Sequence, residues 1–194
     1  EVLGFLDDSD EMQGTEVNGK EVIGKISQAN EFFDKGVKFV LCVGNNIRRK
    51  AMADKLGIPV LLYGNAVHSS SVILGSALIG HGNMIFASTF IGSNAKIGSH
   101  VIVNNGAVVE HDSAIGDFVS IGPGCCMGGR VTIGDGAFIS VGATLNPRVS
   151  IGENSIIGSG SVVVNDIPPN VLAYGVPARV IREISPDEMW GRVL

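Results

Sequence analysis

Residues 91–121 read IGSNAKIGSHVIVNNGAVVEHDSAIGDFVSI, and within them an aliphatic side chain returns at every sixth position. The same step of six runs from Val67 to Val163 without an insertion, and all 17 positions hold Val, Ile, Leu or Met. The fourth residue after each aliphatic one is small in 15 hexads, and Asn83 and Ile167 are the two departures. The residue directly after the aliphatic one is glycine in nine hexads. A repeat this short and regular predicts a stacked, quasi-one-dimensional architecture.

The two inward positions of each hexad predict the shape of one coil. One large and one small inward side chain suit short strands whose side chains alternate between two faces. Glycine between the strands permits a corner every six residues. Three such sides close a triangular coil of about 18 residues, and successive coils stack about 4.8 Å apart, so the repeat makes nearly six coils. The sequence therefore predicts a parallel β-helix over residues 67–168.

Charged residues are scarce on this β-helix, since Lys96 is the only one in residues 67–109. A prism with three sides in water would carry more charges, so other subunits are expected to cover some sides. The 194-residue chain has a formal net charge of −5, which excludes the basic footprint of a nucleic-acid-binding protein. No apolar run approaches the roughly 20 residues that a membrane-spanning helix needs.

The cysteines and the N-terminal residues bear on the compartment. Three cysteines without paired spacing predict neither a disulfide framework nor a zinc knuckle. The opening residues, EVLGFLDDSD, lack the basic stretch, apolar core and cleavage site of a secretory signal. Together these features favour a reducing cytoplasm.

Residues 1–66 have a different pattern, which predicts a small α/β domain. Strand-like and helix-like segments alternate in the order EVLGFLDD, GKISQANEFFDKG, VKFVLCVGNN, NIRRKAMADKLG and IPVLLYG. Such alternation is typical of a small parallel, Rossmann-like sheet. After the β-helix, residues 169–194 are expected to form a Pro-punctuated loop, a strand and a short helix that begins at Ser185-Pro186-Asp187-Glu188.

Polar residues follow two of the predicted strands in the α/β domain. Asp7 and Asp8 end the first strand, and Gly44-Asn45-Asn46 end the second. Open α/β sheets bind ligands beyond the carboxyl ends of their strands. A carboxylate can accept a hydrogen bond from a ribose hydroxyl, and a glycine lets a ligand approach the backbone. The alternative is that Asp8 caps a turn and Gly44 merely begins one.

Four motifs occur in order along the chain: FLDD at 5–8, VGNNIRRK at 43–50, VVEHD at 108–112 and YGVPARVI at 174–181. In this combination the chain resembles the sugar-nucleotide N-acetyltransferase family of hexapeptide-repeat acyltransferases, which includes UDP-4-amino-sugar (bacillosamine pathway) and GDP-perosamine N-acetyltransferases and a sialic-acid O-acetyltransferase branch. The resemblance implies a left-handed β-helix, acetyl-CoA as co-substrate, no metal, and a homotrimer with sites between neighbouring prisms. The family also has a strand and a glycine-rich loop with a histidine ahead of FLDD. This sequence lacks that piece, so its α/β domain is expected to be truncated.

The resemblance assigns the chemistry to His111 and Asp112, which follow the inward Val109 at a corner of the coil. Acyl transfer from a thioester to an amine needs a base that titrates near neutral pH, and histidine supplies one. By resemblance, His111 deprotonates the sugar amine and Asp112 orients the imidazole. The spacing leaves a second interpretation open, because steps of one whole coil stack Asp112 with Arg130 and Arg148. Asp112 and Arg130 could then form an ordinary ion pair between coils, and Arg148 could meet a phosphate.

Further contacts follow from the matching positions of the family. Gly129 lies one coil above His111 and is expected to hold the thioester carbonyl through its N–H, as an oxyanion donor does. The expected coenzyme contacts are Gly129, Ser120, Val141, Ser159 and Arg179. The expected sugar-nucleotide contacts are Asp7, Asp8, Gly44 and Ile47.

Other functions are weighed against this interpretation. Some hexapeptide prisms are zinc carbonic anhydrases with three histidine ligands, but here His111 lies one side away from His81 and His100. A non-catalytic scaffold would leave the EHD motif and the α/β domain unexplained. The favoured function is acetyl-CoA-dependent N-acetylation of the C4 amine of a UDP- or GDP-linked 4-amino-4,6-dideoxy sugar. O-acetylation of sialic acid or a related sugar hydroxyl is the alternative.

Overall fold

The computed structural model describes residues 1–185, apart from the side chains of residues 33 and 34. Its N-terminal part contains three short strands: β1 (Phe5–Leu6), β2 (Glu16–Val17) and β3 (Lys20–Gly24). β1 lies parallel to β3, and β2 pairs antiparallel with β3. The turn between β2 and β3 is Asn18-Gly19, with φ of 50° and 75°, which is a hairpin conformation that these two residue types favour.

Helical segments make up much of the rest of this domain. The α-helix α1 (Asn46–Leu56) begins where the side chain of Asn45 accepts from the N–H of Arg48 at 2.9 Å, and it ends at Gly57, with φ of 60°. The 3-10 helices are Asp10–Met12, Ile26–Lys35 and Val60–Leu62. The helix predicted in GKISQANEFFDKG is therefore present as a 3-10 helix.

Two of the strands predicted for this domain, at 37–46 and 58–64, are not formed as strands. One parallel bridge, between Phe39 and Tyr63, joins these two segments in the described chain. In the first segment, the carbonyls of Val43 and Gly44 accept hydrogen bonds from the side chain of Arg49. They therefore do not pair with a neighbouring strand. The second segment forms a 3-10 turn immediately after its proline. The sheet of the α/β domain is therefore smaller than the alternation of segments predicts.

Seventeen two-residue strands, β4 to β20, then follow at the predicted interval of six positions. Strands three places apart in the chain pair in parallel, which gives three sheets: β4-β7-β10-β13-β16-β19, β5-β8-β11-β14-β17-β20 and β6-β9-β12-β15-β18. The strands are β4 Ala66–Val67, β5 Val72–Ile73, β6 Leu78–Ile79, β7 Met84–Ile85, β8 Phe90–Ile91, β9 Lys96–Ile97, β10 Ile102–Val103, β11 Val108–Val109, β12 Ala114–Ile115, β13 Ser120–Ile121, β14 Cys126–Met127, β15 Thr132–Ile133, β16 Phe138–Ile139, β17 Thr144–Leu145, β18 Ser150–Ile151, β19 Ile156–Ile157 and β20 Val162–Val163.

The core of this prism consists of the aliphatic hexad positions in layers with the small ones. From Ile85 to Val163 every aliphatic hexad residue is at most 4% exposed. Val67, in the first coil, is 47% exposed because no further coil of the described chain lies below it. Burial of a continuous apolar column is the main force that holds such a stack together.

Both departures from the small-residue position have a structural reason. Asn83 is fully buried, and its Oδ1 accepts from the N–H of Val101 at 2.7 Å while its Nδ2 donates to the carbonyl of Gly98 at 2.9 Å. The carboxamide therefore bonds to the next coil, and its polar atoms are paired. Ile167 pairs with Ile151, so the last coil is shorter than the others and Ile167 takes a large inward position in it.

A β-hairpin ends the described chain. Strands β21 (Val171–Gly175) and β22 (Ala178–Glu183) pair antiparallel, and β21 continues the first sheet beside β19. The helix predicted to begin at Ser185-Pro186 lies outside the described residues. The observed architecture is an α/β domain followed by a parallel β-helix of hexapeptide repeats, in agreement with the predicted fold class. Among residues 1–185, no helix combines the length and apolar character needed to cross a bilayer.

Candidate active site

A buried arginine joins the N-terminal domain to the β-helix. Arg49, on α1, is fully buried and donates hydrogen bonds to backbone carbonyls of both parts. Its Nε donates to the carbonyl of His100 and its Nη2 to that of Phe118, both at 2.9 Å, while Nη1 donates to that of Val43 at 2.7 Å. Burial lowers the pKa of Arg49 to about 10, so the guanidinium remains charged at neutral pH. Charged hydrogen bonds to neutral carbonyls therefore hold α1 on the prism.

Asn46 and Ser120 complete this interface. Nδ2 of Asn46 donates to the carbonyls of Gly136 and Ala137, at 3.0 Å each. Its Oδ1 accepts from the hydroxyl of Ser120 at 2.6 Å and from Nη2 of Arg49 at 2.9 Å. Ser120 is only 4% exposed. The hydroxyl of Ser120, an expected coenzyme contact, is therefore buried under α1 and already hydrogen-bonded.

His100 belongs to the same interface. Its ring stacks on Phe118 with centroids 4.8 Å apart and meets Tyr63 edge-on at 4.4 Å. Burial, followed by the charge of Arg49, lowers the pKa of His100, so this histidine is neutral at physiological pH. Within residues 1–185 no three His, Cys, Asp or Glu side chains are grouped to hold a metal ion. The three-histidine zinc site considered above is therefore not formed within the described part of one chain.

His111 and Asp112 lie at the corner that follows β11. Nδ1 of His111 lies 2.9 Å from Oδ2 of Asp112. Because an ionised carboxylate only accepts hydrogen bonds, we assign the proton to Nδ1, which leaves the lone pair on Nε2. The side chain of His111 is 52% exposed. An exposed imidazole with a carboxylate on its other nitrogen is an arrangement suited to general-base chemistry.

The carboxylate of Asp112 has three neighbours. Besides His111, its Oδ2 faces Nε of Arg130 at 3.7 Å, and its Oδ1 accepts from Nδ2 of Asn94 at 3.2 Å. The hydrogen bond from His111, followed by that from Asn94, lowers the pKa of Asp112. Both partners considered for Asp112 are therefore present, and the imidazole is the closer one. Arg148, one coil above Arg130, has no ion pair among the described residues.

Gly129 lies directly against the imidazole. A Cβ at Gly129 would lie 2.5 Å from Nε2 and 2.6 Å from Cε1 of His111. A Cβ at Gly92, on the coil below, would lie 2.7 Å from the backbone nitrogen of His111. The N–H of Gly129 donates to no acceptor among the described residues. The histidine is therefore held between two glycines, and one of them, Gly129, has a backbone N–H without an acceptor among the described residues.

The other expected coenzyme residues lie toward the C-terminal hairpin. Val141 and Ser159 occupy equivalent corner positions on successive coils, and both are exposed. Arg179 is exposed on β22 and pairs across the hairpin with Tyr174, which packs against Gly158. The three expected residues thus lie near the same end of the prism, above the coil that carries Gly129.

The expected sugar-nucleotide residues lie in the N-terminal domain. Oδ1 of Asp8 accepts from the N–H of Ile26 at 3.0 Å, so Asp8 caps the long 3-10 helix. Oδ1 of Asp7 accepts from the N–H of Ser9 at 2.8 Å. Gly44 and Ile47 are exposed, and a Cβ at Gly44 would meet nothing within 4 Å. Asp8 therefore has a structural role, and the surface at Gly44 is open to a ligand.

Profiles of known families match both parts of the chain. The profile described as PglD N-terminal domain matches residues 1–56, and that of bacterial transferase hexapeptide (six repeats) matches residues 130–165. Among curated proteins, the galactoside O-acetyltransferase of Escherichia coli (strain K12) is 70% identical over 27 residues. That match spans 14% of this chain and only 13% of the length of that protein.

Several solved structures are similar over most of the chain. GDP-perosamine N-acetyltransferase from Caulobacter crescentus, solved as a His-to-Ala mutant with CoA and GDP-perosamine, is 34% identical with a TM-score of 0.80, over 88% of this chain and 82% of that one. The acetyltransferase domain of PglB from Neisseria gonorrhoeae FA1090, in complex with acetyl coenzyme A, is 31% identical with a TM-score of 0.84, over 92% and 85%. WeeI from Acinetobacter baumannii AYE is 29% identical with a TM-score of 0.74, over 92% and 85%. These similarities confirm the predicted fold class, including the left-handed β-helix.

Proposed function

The chain belongs to the sugar-nucleotide N-acetyltransferase family of hexapeptide-repeat acyltransferases, and we propose that it acetylates the C4 amine of a nucleotide-linked 4-amino-4,6-dideoxy sugar. The relatives support acetyl-CoA as donor, because their structures contain CoA or acetyl-CoA. They support the acceptor class, because one of them was solved with GDP-perosamine. The observation that carries the proposal is the His111–Asp112 pair against Gly129.

His111 acts as the general base in this proposal. Asp112 holds the proton on Nδ1, so the lone pair of Nε2 is available to accept a proton. As the amine nitrogen attacks the thioester carbon, Nε2 takes one proton from it. The resulting imidazolium lies beside an ionised carboxylate, which stabilises its positive charge. Two solved perosamine N-acetyltransferase structures from Caulobacter crescentus are histidine mutants, one His-to-Ala and one His-to-Asn.

Gly129 stabilises the charge that develops during the same step. When the C–N bond forms, the thioester oxygen becomes an oxyanion, and we assign its stabilisation to the N–H of Gly129, which has no acceptor among the described residues. Collapse of this intermediate breaks the C–S bond, and CoA leaves as the thiolate, which takes up the proton held by His111. The products are an amide and CoA-SH, so no further reactant is needed.

The remaining contacts belong to binding. We assign acetyl-CoA to the exposed positions Val141, Ser159 and Arg179, and the nucleotide sugar to the open surface at Gly44 together with Asp7, Asp8 and Ile47. Of these, Asp8 already uses one carboxylate oxygen as a cap, so the other oxygen would meet the ligand. We leave Ser120 out of the proposed coenzyme contacts, because its buried hydroxyl is bonded to Asn46.

We also propose a homotrimer in which a neighbouring prism covers His111. Val72 and Leu78, on outward sheet positions of the first coil, are 51% and 63% exposed, and such apolar sheet surfaces are usually covered. The side chain of His111, 52% exposed in one chain, would then lie in a cleft between subunits. Sedimentation equilibrium should give a mass three times that of one chain. Since the donor is acetyl-CoA, we place the reaction in the cytoplasm.

The decisive experiment is release of free thiol from acetyl-CoA, measured with a disulfide reagent in three parallel reactions. The acceptors are a UDP-linked and a GDP-linked 4-amino-4,6-dideoxy sugar and free sialic acid. Rapid release with one nucleotide sugar supports the proposal and identifies the carrier. Release with sialic acid alone would support O-acetylation, the activity class of the E. coli galactoside enzyme. No release with any of the three would overturn the proposal.

A further inference from the structure

Asn94 contacts the carboxylate of Asp112 on the side away from the imidazole. Its Nδ2 donates to Oδ1 of Asp112 at 3.2 Å, whereas Oδ2 of the same carboxylate receives Nδ1 of His111 at 2.9 Å. The two oxygens thus have different partners. Such a division fixes the rotation of the carboxylate about its Cβ–Cγ bond.

The position of Asn94 is itself fixed by the coil. β8 pairs in register with β11, so the corner that holds Asn94 lies directly below the corner that holds Asp112. Both residues have left-handed backbone conformations, with φ of 58° and 59°, and Asn and Asp tolerate these better than most residues. The N–H of Asn94 also donates to Oγ of Ser76, one coil lower, at 3.0 Å.

Arg130 competes with His111 for the carboxylate of Asp112, so the contact between Asn94 and Asp112 affects the position of His111. Its Nε lies 3.7 Å from Oδ2 of Asp112, the oxygen that also receives the imidazole. A guanidinium has several donors in one plane and favours bidentate contact with a carboxylate. If Oδ1 lost Asn94, Arg130 could take both oxygens and turn Oδ2 away from His111. The carboxamide of Asn94 therefore keeps one oxygen of Asp112 directed at the imidazole.

We propose that Asn94 is a positioning residue for the base, acting on His111 only through Asp112. This inference rests on the proposed function of His111. It predicts that loss of the Asn94 side chain lowers kcat and leaves the KM for acetyl-CoA unchanged. It also predicts that the effect disappears when the carboxylate of Asp112 is absent.

The test is a double-mutant cycle with N94G and D112A, measured by thiol release from acetyl-CoA with the nucleotide sugar that the wild type uses. Glycine accepts the left-handed conformation and removes the donor. In the wild-type background N94G should lower kcat about tenfold, as expected for loss of one hydrogen bond to a charged group. In the D112A background the same change should alter kcat less than twofold. Equal losses in both backgrounds, or no loss in the first, would overturn the proposal.

Asn154 provides a matched control. It has φ of 56° at another corner, and its Nδ2 donates to Oδ1 of Asn170 at 3.2 Å, so it has the same residue type, conformation and kind of contact. N154G should leave kcat unchanged. H111A distinguishes the role of His111 as base from the role of Asn94. If H111A retains full activity, the proposed function is wrong. If H111A is inactive while N94G has wild-type kcat, only the role of Asn94 is wrong.

Discussion

The imidazole of His111 covers the α-carbon of Gly129 so closely that a methyl group there would lie 2.5 Å from Nε2. Gly129 shows no left-handed φ, so an alanine could adopt its backbone conformation, and the ring of His111 would have to move. The side chain of His111 is half exposed, and displacing it would disturb little of the core. The glycine thus constrains the position of the base more than the stability of the prism.

G129A should therefore lower kcat/KM at least 100-fold, because it displaces Nε2 and crowds the proposed oxyanion position. Thiol release gives the rate, and thermal unfolding should show a Tm close to that of the wild type. G75A is the matched control, since a Cβ at Gly75 would meet nothing within 4 Å and its φ is not left-handed. Wild-type activity in G129A would contradict the geometry assigned to the site.

H111A should reduce kcat by about 10²–10⁴-fold, the usual contribution of a general base, and should leave Tm nearly unchanged. The half-exposed ring contributes little to the buried core. His68, an exposed histidine at the first coil, serves as the control, and H68A should have wild-type activity. Near-normal turnover by H111A would exclude the proposed mechanism.

D112N should be milder than H111A, with kcat lower by about tenfold, because the amide keeps the left-handed conformation but no longer stabilises an imidazolium. R130Q should change kcat less than twofold, since Arg130 is the more distant partner at 3.7 Å. If Asp112 served mainly the pair with Arg130, both variants would instead lower Tm equally and leave kcat intact.

The stability difference between the wild type and D112N should depend on pH. The hydrogen bonds from His111 and Asn94 lower the folded-state pKa of Asp112 below 3.8. A carboxyl group of this kind stabilises the fold above its unfolded pKa and loses that contribution as the pH falls through the folded value. The difference in Tm should therefore be present from about pH 5 to 7 and should shrink below about pH 4. A difference that grows below pH 4 would contradict the assignment.

S120A tests whether this residue belongs to the domain interface or to coenzyme binding. Its buried hydroxyl bonds to Asn46 and accepts from Arg49, so its removal should cost about 1 kcal/mol of unfolding free energy and leave the KM for acetyl-CoA unchanged. S140A is a close control, because Ser140 is 1% exposed and its hydroxyl has no partner among the described residues. A raised KM with unchanged stability would restore the coenzyme role.

The prism could be predicted because its period of six appears directly in the sequence, as an aliphatic residue at every sixth position from Val67 to Val163. Even the two departures are interpretable afterwards, since Asn83 has both ends of its carboxamide paired and Ile167 occupies a large position of the shortened last coil. The hairpin between β2 and β3 is not among the elements predicted from the sequence, although Asn18-Gly19 is a strong turn signal.

The domain interface could not be predicted from sequence. Arg49 lies in a helix rich in charged residues, where a buried arginine has the same pattern as an exposed one. Ser120 occupies an outward position of β13, and only the docking of α1 buries it. Hexad periodicity specifies which side chains point inward, whereas the covering of an outward face depends on distant segments of the chain.

The interface of α1 extends along three successive coils. Arg49 bonds to the carbonyls of His100 and Phe118, and Asn46 bonds to that of Gly136, so each acceptor lies one coil above the last. The corner with His111 lies on the same coils. In this chain the three coils therefore fix the level of α1 along the prism, and with it the distance between the N-terminal domain and the corner of His111.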